Sequence, residues 1–223
     1  MDIKIDELKR TKRKTISLQI KADGRLIVHA PLLAAKSIIL KAVTEKSSWI
    51  IEKQQAMLKK LRENSPKAYN AGEILLYRGQ PITLEYSEQV NEVEFKGNNL
   101  FVPKKYYGAA KQEVEWWYQV QAANDINIML KHCVKLLGFT YKSAKLSNAS
   151  THWGSCGPNN TLNFGWRLVM APPEVLNYVV VHELCHTVHH NHSAAFWQKV
   201  AQLMPDYEVH RSWLKENGHK LSL

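Results

Sequence analysis

The chain has 223 residues, 45% of them hydrophobic, a length that suits one large domain or two small ones with a properly buried core. No run of eighteen or more apolar residues is present, so no membrane-spanning helix is expected, and the charged alternation Met1-Asp2-Ile3-Lys4 lacks the basic-then-apolar plan of a secretory signal, so a cytoplasmic protein is expected. Three cysteines (Cys133, Cys156 and Cys185) with no C-x-x-C spacing argue against a disulfide scaffold or a cysteine-rich zinc module, and a net charge of +10 suits nucleic acid, acidic proteins or phosphate-bearing ligands, although basic residues spread along the chain equally describe a well-solvated surface.

The densest basic cluster, Lys9-Arg10-Thr11-Lys12-Arg13-Lys14, leads into an alternating segment and reads as a solvated strand end. Thr15-Ile16-Ser17-Leu18-Gln19-Ile20 alternates polar and apolar, Ala22-Asp23-Gly24-Arg25 supplies a turn, and Leu26-Ile27-Val28-His29-Ala30 continues as the partner strand of a hairpin ended by Pro31. Over residues 34–62, Ile38, Ile39, Val43, Trp49, Ile50 and Leu58 recur at helical spacing, and Asn64-Ser65-Pro66 stops the helix. Strands follow at 73–77, 82–86, 93–95 and 99–102, punctuated by Gly79, Asn91, Gly97-Asn98 and Pro103.

A long helix is expected over 106–137, closed by Gly138. Short strands at 144–146 and 162–168 flank a turn-rich loop over 151–160, which holds Trp153-Gly154-Ser155-Cys156. Pro172-Pro173 opens a helix through His189, proline being tolerated in the first turn. Two more helices cover 193–204 and 207–216. The pattern is α+β: a mixed, strand-rich region over 1–103, then a mainly helical region over 104–223, with no linker-like composition at the boundary near Pro103.

The chemistry is carried by His182-Glu183-Leu184-Cys185-His186. Residues four apart on a helix project from one face, so His182 and His186 can offer imidazole nitrogens to one metal ion. Glu183 lies about 100° further round the helix from His182. Zinc lowers the pKa of a coordinated water towards ~7, and a nearby carboxylate can take its proton. The flanking Tyr178, Val179, Val180, Val181, Leu184 and Cys185 are apolar, so the helix is expected to be buried, where two histidines and a glutamate are costly unless paired or metal-bound. A catalytic zinc takes three protein ligands. His189, His190 and His192 are all close in sequence; a ligand arriving after a chain reversal closes on the ion more easily than one further along the same helix. Termination at Asn191 favours His192, with Ser193 capping the next helix and Phe196 and Trp197 packing it down. His189 and His190 then read as exposed helix-end histidines. Imidazole also suits other divalent transition metals.

The motif set resembles the YgjP-like metallopeptidase family, which is similar to the SprT and Wss-like metalloproteases among the zincins. The residues that carry the likeness are His182-Glu183-Leu184-Cys185-His186, His192-Ser193 and Phe196-Trp197; upstream, Trp153-Gly154-Ser155-Cys156, Asn163-Phe164-Gly165-Trp166-Arg167-Leu168 and Ala171-Pro172-Pro173; downstream, Met204-Pro205-Asp206-Tyr207 and Trp213-Leu214. The resemblance implies a zincin-like helical catalytic domain with a small sheet. It implies His182, His186 and His192 as zinc ligands and Glu183 as general base of a zinc-dependent hydrolase acting on a peptide or protein. It also implies that the edge strand above the active helix, taken as 162–168, holds an extended substrate. His152 stands where such sequences usually carry arginine; with Trp153 and Ser155 it forms the expected substrate-binding set. His152, Tyr178 and Tyr207 are candidates for steadying an oxyanion. Two other readings keep part of this picture: a metal-dependent phosphohydrolase acting on nucleotides, and a nucleic-acid-associated protease whose N-terminal basic hairpin makes the contact.

Overall fold

The turn expected at 22–25 forms around Gly24, whose φ of +83° would strain a residue with a Cβ. Asp23 accepts hydrogen bonds there from the Arg25 backbone N–H and guanidinium. In the computed structural model, which describes residues 3–63, 66–149 and 151–223, this turn belongs to a first unit, Met1–Ser65. Its elements are β1 (Glu7–Thr11), β2 (Ser17–Ile20), β3 (Leu26–Pro31), α1 (Lys36–Glu45) and α2 (Ser47–Glu63). β3 is central, with β2 antiparallel on one side and β1 parallel on the other. Alternate β3 residues Leu26, Val28 and Ala30 form a core with Ile39, Val43 and Ile50 of the helices.

Two expectations change here. Lys9, Arg10 and Thr11 form the exposed end of a separate strand, β1, and do not lead into the hairpin. A polar segment holds this edge because the Arg10 guanidinium donates to the carbonyls of Leu32 at 2.9 Å and Ala34 at 2.8 Å, tying the strand to the loop before α1. The single helix expected over 34–62 is two, divided at Lys46. Met1, Asp2, Asn64 and Ser65, to which expectations were attached, lie outside the described residues.

The second unit, Pro66–Leu223, begins with β4 (Ile74–Tyr77), β5 (Gln80–Ser87), β6 (Glu94–Lys96) and β7 (Asn99–Pro103), in the sheet order β4-β5-β7-β6. After a 3-10 turn at Lys104–Tyr106 comes α3 (Lys111–Leu137), closed as expected by Gly138 at φ +68°. β8 (Ser143–Ser147), β9 (Gly154–Cys156) and β10 (Thr161–Gly165) make a third small sheet in the order β8-β10-β9. The chain ends with α4 (Pro173–Cys185), α5 (Ala194–Leu203) and α6 (Tyr207–Asn217). The protein is therefore a mixed α+β fold with three small sheets among the described residues. One apolar core joins Leu84 and Leu100 of the four-stranded sheet, Tyr118 of α3, Phe164 of β10, and Val180 and Leu184 of α4. Residue 103 thus lies within the second unit, because β4–β7 pack with α3 and α4. No helix among the described residues is long and apolar enough to cross a membrane.

The strand expected at 162–168 stops at Gly165 and continues as a 3-10 segment, Trp166–Met170. Its apolar run suits a buried strand and a buried helical turn equally well. Hydrogen bonds decide: the carbonyls of Val169 and Met170 accept from the N–H groups of Arg78 and Gly79 at 2.9 Å each, in the β4–β5 turn. Arg78 also forms a two-pronged ion pair with Asp125 of α3, at 2.6 and 3.1 Å. Gly79, at φ +78°, sits so close to Pro172 that a Cβ would lie 2.8 Å from its Cγ. The turn therefore braces the start of α4.

Candidate metal centre

α4 starts at Pro173, where a missing N–H costs nothing. It is buried along most of its circumference, with Val175, Leu176, Val179, Val180, Val181, Leu184 and Cys185 in the core. His182 and His186 share one face of this helix, their ring centroids 4.9 Å apart. The helix ends at Cys185, four residues before the expected His189. The cause is local. The Thr187 hydroxyl donates to the Leu184 carbonyl at 2.7 Å, and the N–H groups of Val188 and His189 both reach the Cys185 carbonyl. Asn191 is thus not the stop. The chain reverses over 186–192 and returns His192 to the helix.

His192 arrives as expected: its Nε2 lies 3.0 Å from Nε2 of His182. Ser193 caps α5 by accepting from the Phe196 N–H at 3.4 Å. Phe196 stacks on His186 with centroids 4.4 Å apart, and Trp197 stacks on His192 at 5.4 Å. One ligand atom from each of His182, His186 and His192 falls within 4.8 Å of the others. The far nitrogens are engaged elsewhere. His186 Nδ1 meets the His189 carbonyl at 3.0 Å, and His182 Nδ1 faces the Tyr178 hydroxyl at 3.5 Å. An outer partner on one nitrogen, leaving the other for the ion, is the usual arrangement of a metal-binding imidazole. Burial, then the neighbouring His186 and His192, hold the His182 pKa down to about 3, so its ring is neutral near pH 7, the form that ligates. Burial lowers His186 as well. The three residues fit a zinc-type ion by donor chemistry and by convergence. The side chains of His189 and His190 do not join them; His189 contributes only its backbone carbonyl.

Glu183 is 5% exposed and has no hydrogen-bond or ion-pair partner among the described residues. Burial alone pushes its carboxyl up to about 7. It lies directly against β9: a Cβ on Gly154 would be 2.5 Å from its Oε1 and 2.7 Å from its Cγ. Trp153-Gly154-Ser155-Cys156, expected as a loop, is therefore largely strand, with Gly154–Cys156 paired antiparallel to β10. This moves the edge strand. β10 is paired on both sides, by β8 and β9, and has no free edge. The edge beside α4 belongs to β9.

A cavity of about 380 Å³ opens at this edge, lined by His152, Trp153, Gly154, Tyr178, His182 and Glu183 together with Arg211, Leu214 and Lys215 of α6. Of the residues expected to bind substrate, His152 and Trp153 are on this lining. Ser155 is not on the lining; its hydroxyl accepts from the Asn163 amide at 3.3 Å, across the strand pair. Of the oxyanion candidates, Tyr178 is turned to His182 and Tyr207 donates to Glu208 at 3.2 Å. Arg211 and Lys215 were not singled out from sequence. The available signal was the i, i+4 spacing that puts Tyr207, Arg211 and Lys215 on one face of α6. The cysteines offer no nucleophile: burial raises Cys185 to about 12, Cys133 to about 11, and Cys156 in the same direction.

A family model described as "YgjP-like, metallopeptidase domain" matches residues 14–217 of the chain. No curated protein and no solved structure matches it.

Proposed function

The chain belongs to the YgjP-like metallopeptidase family, and from that premise we propose that it is a zinc-dependent peptidase with His182, His186 and His192 as metal ligands and Glu183 as general base. The observation that carries this reading is the convergence of three imidazoles, two with their far nitrogens engaged, beside a buried carboxylate without a partner. A zinc ion held there supplies a Lewis acid that polarises the scissile carbonyl and acidifies water. Glu183 takes the proton of the attacking water and delivers it to the leaving nitrogen. Its raised carboxyl pKa, about 7, suits both halves of that transfer near neutral pH. The free edge of β9 receives the substrate backbone as an added strand, and Gly154 lets that edge approach Glu183. His152 and Trp153 flank the same opening.

Metal analysis with activity assays tests the proposal. The purified chain is expected to hold about one zinc per molecule and cleave peptides. Glu183→Gln keeps the metal and loses cleavage; His192→Ala loses metal. A nucleoside triphosphate is assayed beside the peptides. Phosphate release abolished by Glu183→Gln, with no peptide cleaved, overturns the reading in favour of a phosphohydrolase.

A second reading concerns the Met1–Ser65 unit. Residues 1–65 hold 15 Lys and Arg against 7 Asp and Glu, so this unit carries +8 of the chain's +10. That concentration favours nucleic acid as its partner, contacted through phosphates. DNA binding by the full chain that weakens steeply with salt tests it.

A further inference from the structure

Two cations on the cavity wall have no part in the chemistry just described. Arg211 and Lys215 stand one turn apart on α6, and both line the cavity that holds His182 and Glu183. Neither makes an ion pair among the described residues. Two acids near the start of α6 are occupied otherwise: Asp206 pairs with His210 at 3.2 Å, and Glu208 accepts from Tyr207. The one carboxylate on the cavity lining is Glu183, which is buried on the opposite element.

Arg211 is also held in place. Its guanidinium lies 4.6 Å from the centroid of the Trp197 ring. Trp197 in turn stacks on His192 at an interplanar angle of 23° and on Tyr207 at 22°. One aromatic ring thus links the guanidinium to the histidine cluster. A guanidinium laid on a ring keeps its N–H groups directed outward in its own plane, which is the geometry that grips a carboxylate with two parallel hydrogen bonds. A lysine one turn away adds a second, mobile positive charge.

We infer that Arg211 and Lys215 form an anion subsite that receives a substrate carboxylate, either an acidic side chain or the free C-terminus of the peptide, and so direct the enzyme to acidic peptides. This inference rests on the peptidase reading. Both carboxylate sources present the same planar anion, and they are separated by experiment.

The test is binding to the zinc-loaded Glu183→Gln chain, which is expected not to turn substrate over. The probes are fluorescein-labelled alanine-based hexapeptides in three matched forms: one internal Glu with an amidated C-terminus, Gln in its place with an amidated C-terminus, and Gln with a free C-terminus. At least one carboxylate form is expected to bind about tenfold more tightly than the neutral form, as a charge-assisted two-pronged contact allows. Whichever form gains identifies the source. Adding Arg211→Ala and Lys215→Ala is expected to erase the difference while leaving the neutral peptide's affinity and the zinc content unchanged. Charge reversal to Arg211→Glu and Lys215→Glu is expected to favour a Lys-bearing peptide. Discrimination that survives in the double alanine variant overturns the subsite. So does an equal loss for neutral and acidic peptides, which marks the pair as serving the reacting carbonyl or the fold. If no peptide binds but a nucleoside triphosphate does, the carboxylate assignment falls together with the peptidase reading; the first two outcomes leave that reading intact.

Discussion

Gly154 leaves no space for a side chain beside Glu183, and this contact is sharper than anything the motif alone conveys. A Cβ there would meet Oε1, Cγ and Cδ of Glu183 within 2.8 Å. The glutamate is the flexible partner, so it must swing away. Gly154→Ala is therefore expected to lower kcat by about 10²-fold or more, the scale of a misplaced general base, with zinc content unchanged. A kcat near that of the wild type would show that Glu183 does its work from another position. Tyr178 provides a second residue-scale prediction. If its hydroxyl orients the His182 ring, Tyr178→Phe weakens zinc binding by about 10–100-fold, measured by competition with a chelator. Unchanged affinity would mean that the 3.5 Å approach to Nδ1 is mere proximity. His182, Glu183 and His186 could be read from spacing because helical geometry is local. His192 could be read because a following Ser-x-x-Phe signals a new helix. Gly154, Arg211 and Lys215 could not, since each acquires its meaning from an element distant in sequence.

At the scale of elements, the site depends on how one helix stops and the next begins. Periodicity carried α4 too far because Thr187, Val188 and His189 are compatible with a helix in isolation; the Thr187 hydroxyl and two N–H groups converging on the Cys185 carbonyl end it sooner. The early stop lengthens the reversal that brings His192 back. Ser193 then holds the far end of that reversal. Ser193→Ala is expected to cost about 1 kcal/mol, as the loss of an N-cap does, and to lower Tm by about 2–4 °C in a domain of this size. Zinc affinity should fall with it, because His192 is adjacent to the cap. A lower Tm in the zinc-free chain with undiminished zinc affinity would show that His192 is positioned by its stacking on Trp197 instead. β9 was hidden for a different reason. Three residues, one of them glycine, carry no alternation, and only pairing with β10 makes them a strand. β1 was hidden by its charge, since the Arg10 hydrogen bonds that secure it are invisible to a hydrophobic pattern.

For the whole molecule, composition suggested a mixed fold but misdirected the division, because the strands over 74–103 look like a continuation of the first hairpin. Their apolar positions, Leu75, Ile82, Leu84 and Leu100, pack with α3 and so join the second unit. Once the division falls after Ser65, the charge acquires a location: residues 66–223 hold 15 Lys and Arg against 13 Asp and Glu, nearly neutral beside the first unit's +8. A uniformly basic protein would lose polyanion affinity equally wherever lysines are removed. This chain is expected to lose it only from the first unit. Replacing Lys12, Lys14 and Lys46 by Gln should reduce the slope of log K against log salt by roughly 1 for each phosphate no longer neutralised. Replacing Lys131 and Lys135 of α3 in the same way should leave the slope unchanged. Titration of the full chain with labelled DNA across a salt series measures both. Equal losses from the two sets would return the charge to the role of a general solubilising surface, and no binding at about 50 mM salt, where phosphate contacts are strong, would exclude nucleic acid as a partner.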